Sequence, residues 1–348
     1  MSANANLHKA KDAKNDEFYT QLTDVSKELM HYKQHFKNKI VFCNCDDPTW
    51  SAFWKYFHLN FAELGLKKLI STHYDKNEPT YKMKYTGGDD NDIEVGIKTP
   101  LEGNGDFRNA ECIELLKEAD IIVTNPPFSI AREDYIPQLF EYNKKFLIVG
   151  DLNWLTYRDI FPLLQNNNMW LGYNLVKEFV QPDGTIKKFG NKLWFTNLDI
   201  KKRHEKIILW KEYNSDEYPT YYNYDGINVD KVDKIPKDYN GVMGVPITFM
   251  DKYNPEQFEI VGLSHGNWGQ TLGVSANLSD AEQSIGGECQ TYIIDTMHDS
   301  IGWYQADGSL KSDADAPPDA LQKLREQQEA RFCKQIEKEY NSQKKGQK

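Results

Sequence analysis

Apolar positions in this chain alternate between short unbroken runs and wider helical stripes as far as Gly150. Leu22, Val25, Leu29, Met30, Tyr32 and Phe36 recur at helical spacing, so Asn15 to Phe36 is expected to be a loop entering a helix. Lys39 to Cys45 has the continuous apolar character of a strand covered on both faces; Asp46-Asp47-Pro48 ends it, and Trp50 to Leu64 returns to helical spacing. Leu66 to His73 is a second such strand, ending near Asp75. Tyr81 to Tyr85 with Glu94 to Lys98 predicts a hairpin across Gly87-Gly88-Asp89-Asp90. A helix over Ala110 to Glu118, a strand at Ile121 to Val123, a helix over Arg132 to Tyr142 and a strand over Lys145 to Val149 continue the alternation. The expected fold class is α/β, with a doubly wound, mostly parallel sheet. Ligands of such sheets bind at the carboxyl ends of the strands. Asp46, Asp75, Asp106 and Asn125 all fall at strand ends, so one crevice is expected to collect them.

Beyond Trp170 the pattern changes to shorter runs: Leu175 to Val180, a turn at Pro182 to Gly184, Lys192 to Phe195, and Lys206 to Trp210. These predict an antiparallel edge to the sheet. Tyr213 to Asn254 is rich in tyrosine, asparagine and aspartate with scattered prolines and reads as part of an appended mixed, loop-rich region. A Pro-Pro linker at Pro317-Pro318 leads into a charged helix over Ala320 to Tyr340.

The stretch around which the chain is organised is Asp120 to Phe128, D-I-I-V-T-N-P-P-F. Two prolines cannot continue a ladder, so the strand stops at Asn125. Pro127 forces Pro126 into extended geometry, and the carbonyls of Asn125 and Pro126 are left facing whatever lies beyond the strand. With Phe128 beside it, this rigid acceptor cup suits a planar ring carrying an exocyclic amine. N-P-P-F alone leaves the guest open among adenine, guanine and a glutamine amide.

Composition narrows the partners. With 348 residues and 39% hydrophobic residues the chain can bury a large core, and no apolar run is long enough to span a membrane. Five cysteines without a framework spacing, and no apolar segment near the N-terminus, lead to the expectation of a reducing, cytoplasmic setting. The net charge of −10 excludes indiscriminate nucleic-acid binding, yet Lys177 to Lys211 holds nine Lys/Arg against four Asp/Glu. Such a stripe is either a solvated face or a groove for a polyanion.

Taken together, Phe18-Tyr19-Thr20, Cys43-Asn44-Cys45-Asp46-Asp47-Pro48, Gly105-Asp106-Phe107, Thr124 to Phe128, Trp194 to Leu198 and Gly241 to Phe249 resemble the EcoRI-type family of adenine-specific DNA methyltransferases. The resemblance covers most of residues 15 to 265. It implies a Rossmann-like class I methyltransferase fold, S-adenosyl-L-methionine as cofactor and double-stranded DNA as substrate. It places Phe18, Tyr19 and Thr20 near the cofactor's methionine end, Cys45 and Asp46 at the first strand's tip, Asp75 at the ribose, and Asp106 with Phe107 at the cofactor's adenine. The usual glycine-rich turn after the first strand is replaced by Asp46 to Ser51.

The implied reaction holds the amine between Asn125 and Pro126, followed by Pro127 and Phe128, and needs no metal. The adenine must leave the duplex. Phe128 is expected to stack on one face of it and Phe195, or Trp194, on the other; adjacent strand aromatics face opposite sides, so one of that pair belongs to the core. Lys187, Lys188, Lys192, Lys201, Lys202 and Arg203 are expected along phosphates. Residues 1–212 are then the catalytic domain and 213–348 the target-recognition region. A cognate restriction endonuclease is a possible system partner, and a monomer suits a single cup acting on each strand in turn. The alternatives are a ribosomal-RNA adenine or guanine amine methyltransferase and a DNA-binding module that keeps the fold without the reaction. Cys43 and Cys45 read as buried thiols rather than metal ligands.

Overall fold

A strand with no polar alternation needs cover on both faces. Ile40–Cys43 receives it: Ile40 and Phe42 enter one buried cluster, and Val41 and Cys43 the other. The computed structural model describes residues 19–75, 78–181, 184–220, 226–263 and 291–296. The chain divides into two units, Met1–Asp295 and Thr296–Lys348, and the described residues other than Thr296 belong to the first. The expected C-terminal charged helix lies outside the described residues.

In chain order the elements are Tyr19–Thr20 (β1), Leu22–Leu29 (α1), Ile40–Cys43 (β2), Ala52–Leu59 (α2), Lys68–His73 (β3), Tyr81–Tyr85 (β4) and Ile97–Pro100 (β5). Ala110–Glu118 (α3), Ile121–Thr124 (β6), Ile136–Glu141 (α4), Lys145–Asp151 (β7), Trp170–Val180 (β8) and Ile186–Thr196 (β9) follow. The nine strands form one sheet in the order β1-β8-β9-β7-β6-β2-β3-β4-β5. Its centre, β7-β6-β2-β3, is parallel, and every flanking pair is antiparallel. The α/β class holds and helices pack against both faces. The sheet is mixed rather than mostly parallel, because hairpins extend both edges of the parallel centre.

The expected antiparallel edge is present and longer than the apolar runs suggested, since β8 and β9 carry charged residues through their exposed halves. The hairpin after β3 pairs Tyr81–Tyr85 with Ile97–Pro100, later than the predicted Glu94 to Lys98. The stretch expected to be a helix over Arg132 to Tyr142 begins at Phe128, passes through one wide turn at Ala131–Tyr135 and ends in α4. Lys206 to Trp210 is not a strand: Ile207 and Leu209 pack on the core, while Ile208 and Trp210 stand exposed.

Nor is Tyr213 to Asn254 all loop. Gly226–Asn228 (β10) and Val242–Pro246 (β11) join Phe258–Leu263 (β12) and Thr291–Thr296 (β13) in a second sheet, ordered β10-β11-β13-β12. Ile227, Met243, Phe258 and Ile260 share one buried cluster with Leu164 and Phe195, so packing is continuous across position 212.

One buried charge fixes the β8 edge. Glu28 of α1 is fully buried, and β8 breaks register between Leu171 and Leu175. The Glu28 carboxylate accepts from the Tyr173 and Asn174 backbone N–H groups and from the Asn174 amide and the Tyr32 hydroxyl, each at 2.8 Å. Glu28→Ala leaves two backbone donors of that bulge unsatisfied and is expected to cost roughly 2–5 kcal/mol. Urea unfolding measures it, and an unchanged midpoint contradicts the assignment.

Candidate active site

The carboxyl ends of β2 and β6 lie side by side, and a buried carboxylate joins them. Asp46 accepts from the Thr124 hydroxyl, from Ser51 Oγ at 3.0 Å and from the Asn125 backbone N–H at 3.4 Å. The Thr124 oxygen in turn accepts from Cys45 N–H at 3.3 Å. Ser51 also caps α2, accepting from the backbone of Phe53 and Trp54, so one hydroxyl ties helix, strand tip and carboxylate together. Beneath this tie, Ser71 Oγ donates to the carbonyls of Cys43 and Asp46, and Tyr135 donates to Asn44 Oδ1. Burial pushes the Asp46 carboxyl up to about 7 against the pull of these donors. It also raises the Cys45 thiol, with Asp46 and Asp106 adding to the effect, so this cysteine is no nucleophile at neutral pH.

The neighbouring loops crowd the same crevice. Asp47 Oδ2 pairs with His73 Nδ1 at 2.8 Å, and its Oδ1 accepts from the Tyr81 hydroxyl at 2.9 Å. Asp75, buried at the end of β3, accepts from Glu78 N–H and donates its own N–H to the Asn104 carbonyl. Gly105 takes φ +75°, and a Cβ there would stand 2.2 Å from the His73 carbonyl, so only glycine lets this loop cross β3 so closely. Asp106 is gripped by Arg108, whose Nη2 lies 2.7 Å from Oδ2 while its Nη1 reaches Asp134 at 2.8 Å. Phe107 is buried and packs edge-on against Tyr135.

On the opposite rim, Thr20 pairs with Phe179 across β1 and β8, and Phe179 meets Phe128 edge-on with ring centres 6.1 Å apart. Tyr19 lies parallel to Trp50, 6.5 Å between centres. Asn125 is half-buried and Pro126 buried, and the Pro127 carbonyl accepts from Ile130 and Ala131, closing the turn that presents Phe128. Phe18 lies outside the described residues.

Two sequence expectations require correction. Trp194 and Phe195 are both fully buried on opposite faces of β9, Trp194 against Phe53 and Phe195 against Trp154, so neither offers a face to a base. Among the expected phosphate contacts, Lys192 is buried, paired with Asp151, and stands over the Phe128 ring. Lys202 donates to the Gly172 carbonyl and pairs with Asp251, and Arg203 stacks on Trp170. Lys187, Lys188 and Lys201 are exposed.

The sequence profile described as adenine-specific methyltransferase EcoRI matches residues 6–299. The chain belongs to that family. It is similar to the type II methyltransferase M.EcoRI of Escherichia coli, 44% identical over 84% of this chain and 96% of the relative. Type II methyltransferases M.MgeORF184P of Mycoplasma genitalium and M.MpnI of Mycoplasma pneumoniae are 38% and 37% identical, each over 73% of this chain and 85% and 84% of their own length. No solved structure matches this chain. As a family member the protein is an enzyme, an adenine-specific methyltransferase, and its reaction draws on a methyl donor.

Thr124, Ser51, Arg108 and Asp151 had no role of their own in the sequence pattern of this methyltransferase site. Ser51 carried a signal, a cap position ahead of a helical stripe. Thr124 and Asp151 matter through strands distant in sequence and gave none.

Asp46 makes stability depend on pH. Its folded value of about 7 stands above the ordinary 3.8, so the native state binds more protons than the unfolded one between them. Stability therefore falls as pH rises from about 4 to about 7, by up to about 4 kcal/mol, and the loss persists above that window. Asp46→Asn removes the titration. The melting-temperature difference between this variant and the wild type is expected to move in the variant's favour from about pH 5 to about pH 8; a constant difference contradicts the burial account.

Proposed function

We propose that this protein is a site-specific DNA adenine N6 methyltransferase that uses S-adenosyl-L-methionine and acts on an adenine turned out of duplex DNA. The observation that supports the reading is the tie from Asp46 to Thr124 and Asn125, which holds the N-P-P-F cup against the tip of the first parallel strand. The residues fit such a cofactor. Thr20 Oγ1 is buried without a hydrogen-bond partner among the described residues, at a pocket of about 440 Å³ that Tyr19, Trp50 and Lys55 also line. Asp75 suits a ribose diol, and Asp106, oriented by Arg108, suits an exocyclic amine. When bound, S-adenosyl-L-methionine supplies a methyl group activated by a sulfonium.

This chain's own part is to hold the target amine. The Asn125 side-chain oxygen and the Pro126 carbonyl accept its two N–H bonds, which draws the nitrogen lone pair out of conjugation and aims it. Phe128 stacks on the base. Two prolines hold the Pro126 carbonyl and the Asp46 tie holds the Asn125 backbone that carries the side-chain oxygen, so little reorganisation is left for the moment of reaction. Residues beyond Tyr213 contribute recognition of the site, and the exposed Lys187, Lys188 and Lys201 meet phosphates. The enzyme works as a monomer, either as the modification half of a restriction system or alone.

Labelled cofactor offered with duplex DNA, single strands and ribosomal RNA tests the substrate, and long-read sequencing of DNA from expressing cells locates the modified adenine. Asn125→Ala is expected to lower transfer at least about a hundredfold, with duplex affinity nearly unchanged. Equal transfer by the variant, or transfer confined to RNA, overturns the reading.

A further inference from the structure

The last residue of β7, Asp151, lies directly across from Lys192 on β9. Both are withdrawn from solvent, the Lys192 side chain 6% and the Asp151 side chain 18% exposed. Asp151 is held independently of the lysine: it accepts from both the Asn191 side-chain amide, at 3.2 Å, and the Asn153 backbone N–H, at 2.8 Å. The paired ammonium stands 4.4 Å from the Phe128 ring centre and 5.0 Å from that of Phe189. Phe179 meets both rings edge-on, 6.1 Å from Phe128 and 5.5 Å from Phe189. A buried cation therefore stands over two aromatic rings that both meet Phe179, one of them the ring of the cup.

From this arrangement we infer that Lys192 is a positioning residue for Phe128, resting on the flipped-adenine reading above. A lysine destined for a phosphate gains little from burial against a carboxylate and two ring faces, since each phosphate contact must release it from both. Held where it is, the ammonium attracts the negative face of Phe128 and fixes the ring's tilt. A ring with a cation over one face can stack a base only on the other, so Lys192 decides which side of Phe128 receives the adenine. The cation also withdraws electron density from the ring, which favours an electron-rich base on that remaining face. Asp151 acts one step further back, by holding Lys192.

The test uses the full-length enzyme and the duplex site located by sequencing, with 2-aminopurine in place of the target adenine for fluorescence and the unsubstituted site for kcat. Lys192→Met with Asp151→Asn removes the pair without leaving a buried lone charge, and Lys192→Arg keeps the cation. The wild type is expected to raise 2-aminopurine fluorescence on binding. In the double variant that rise is expected to fall by more than about half and kcat at least about tenfold, with duplex affinity and its salt slope unchanged; Lys192→Arg keeps most of the signal. A double variant that folds and retains both signal and kcat overturns the role. So does a salt slope shallower by about 0.9 with the fluorescence intact, which makes Lys192 a phosphate contact. A wild-type enzyme that leaves 2-aminopurine quenched overturns the flipped-adenine reading, and this role falls with it.

Discussion

The buried Asp46 carboxylate is the constraint on which the site depends. Parallel strands β2 and β6 end at the same level, but strand pairing alone fixes neither the chain after Cys43 nor the chain after Thr124. Asp46 fixes both, because its oxygens collect a helix-capping hydroxyl, a strand-end hydroxyl and a backbone N–H. Such a network is worth keeping only when each buried polar group is answered, and here the donors come from both segments that must be aligned. The cost is desolvation, visible in the carboxyl being pushed up to about 7.

From that tie the site extends in two directions along the sheet edge. Toward β3 it is acidic and closely looped, with Asp47 set by His73 and Tyr81, and Asp106 set by Arg108. Toward β7 and β9 it is aromatic, with Phe128 and Phe189 beside one buried ammonium and Phe179 packed edge-on against both rings. The two halves suit the two molecules that a methyltransferase must bring together. Both are built from residues already locked by partners within the fold, which is what positioning chemistry requires.

Much of this was legible in the sequence. The unbroken apolar runs at Lys39 to Cys45 and Ile121 to Val123 announced strands covered on both faces, and Pro126-Pro127 announced where one of them had to stop. Asp46, after the first of them, was expected at a strand-end crevice because α/β sheets gather their strand ends, and it lies between the two strand tips. What local pattern could not convey was pairing at a distance. Lys192 looked like one more member of a basic stripe, yet register with Asp151 buries it. Trp194 and Phe195 promised an aromatic platform and are core on both faces, since Phe195 enters one buried cluster of the sheet and Trp194 the other. The short strands after Tyr213 escaped notice because three to five residues carry too little periodicity to stand out among tyrosines and asparagines.

The central claim is that the hydroxyl of Thr124 aligns the cup with the first strand's tip. Thr124→Val keeps the shape of the side chain and deletes the hydroxyl that donates to Asp46 and accepts from Cys45 N–H. Steady-state kinetics on the modified duplex site is the direct measurement, read beside the melting temperature. The account predicts a kcat lower by about tenfold to a hundredfold in a protein that still folds. An unchanged kcat in Thr124→Val contradicts it.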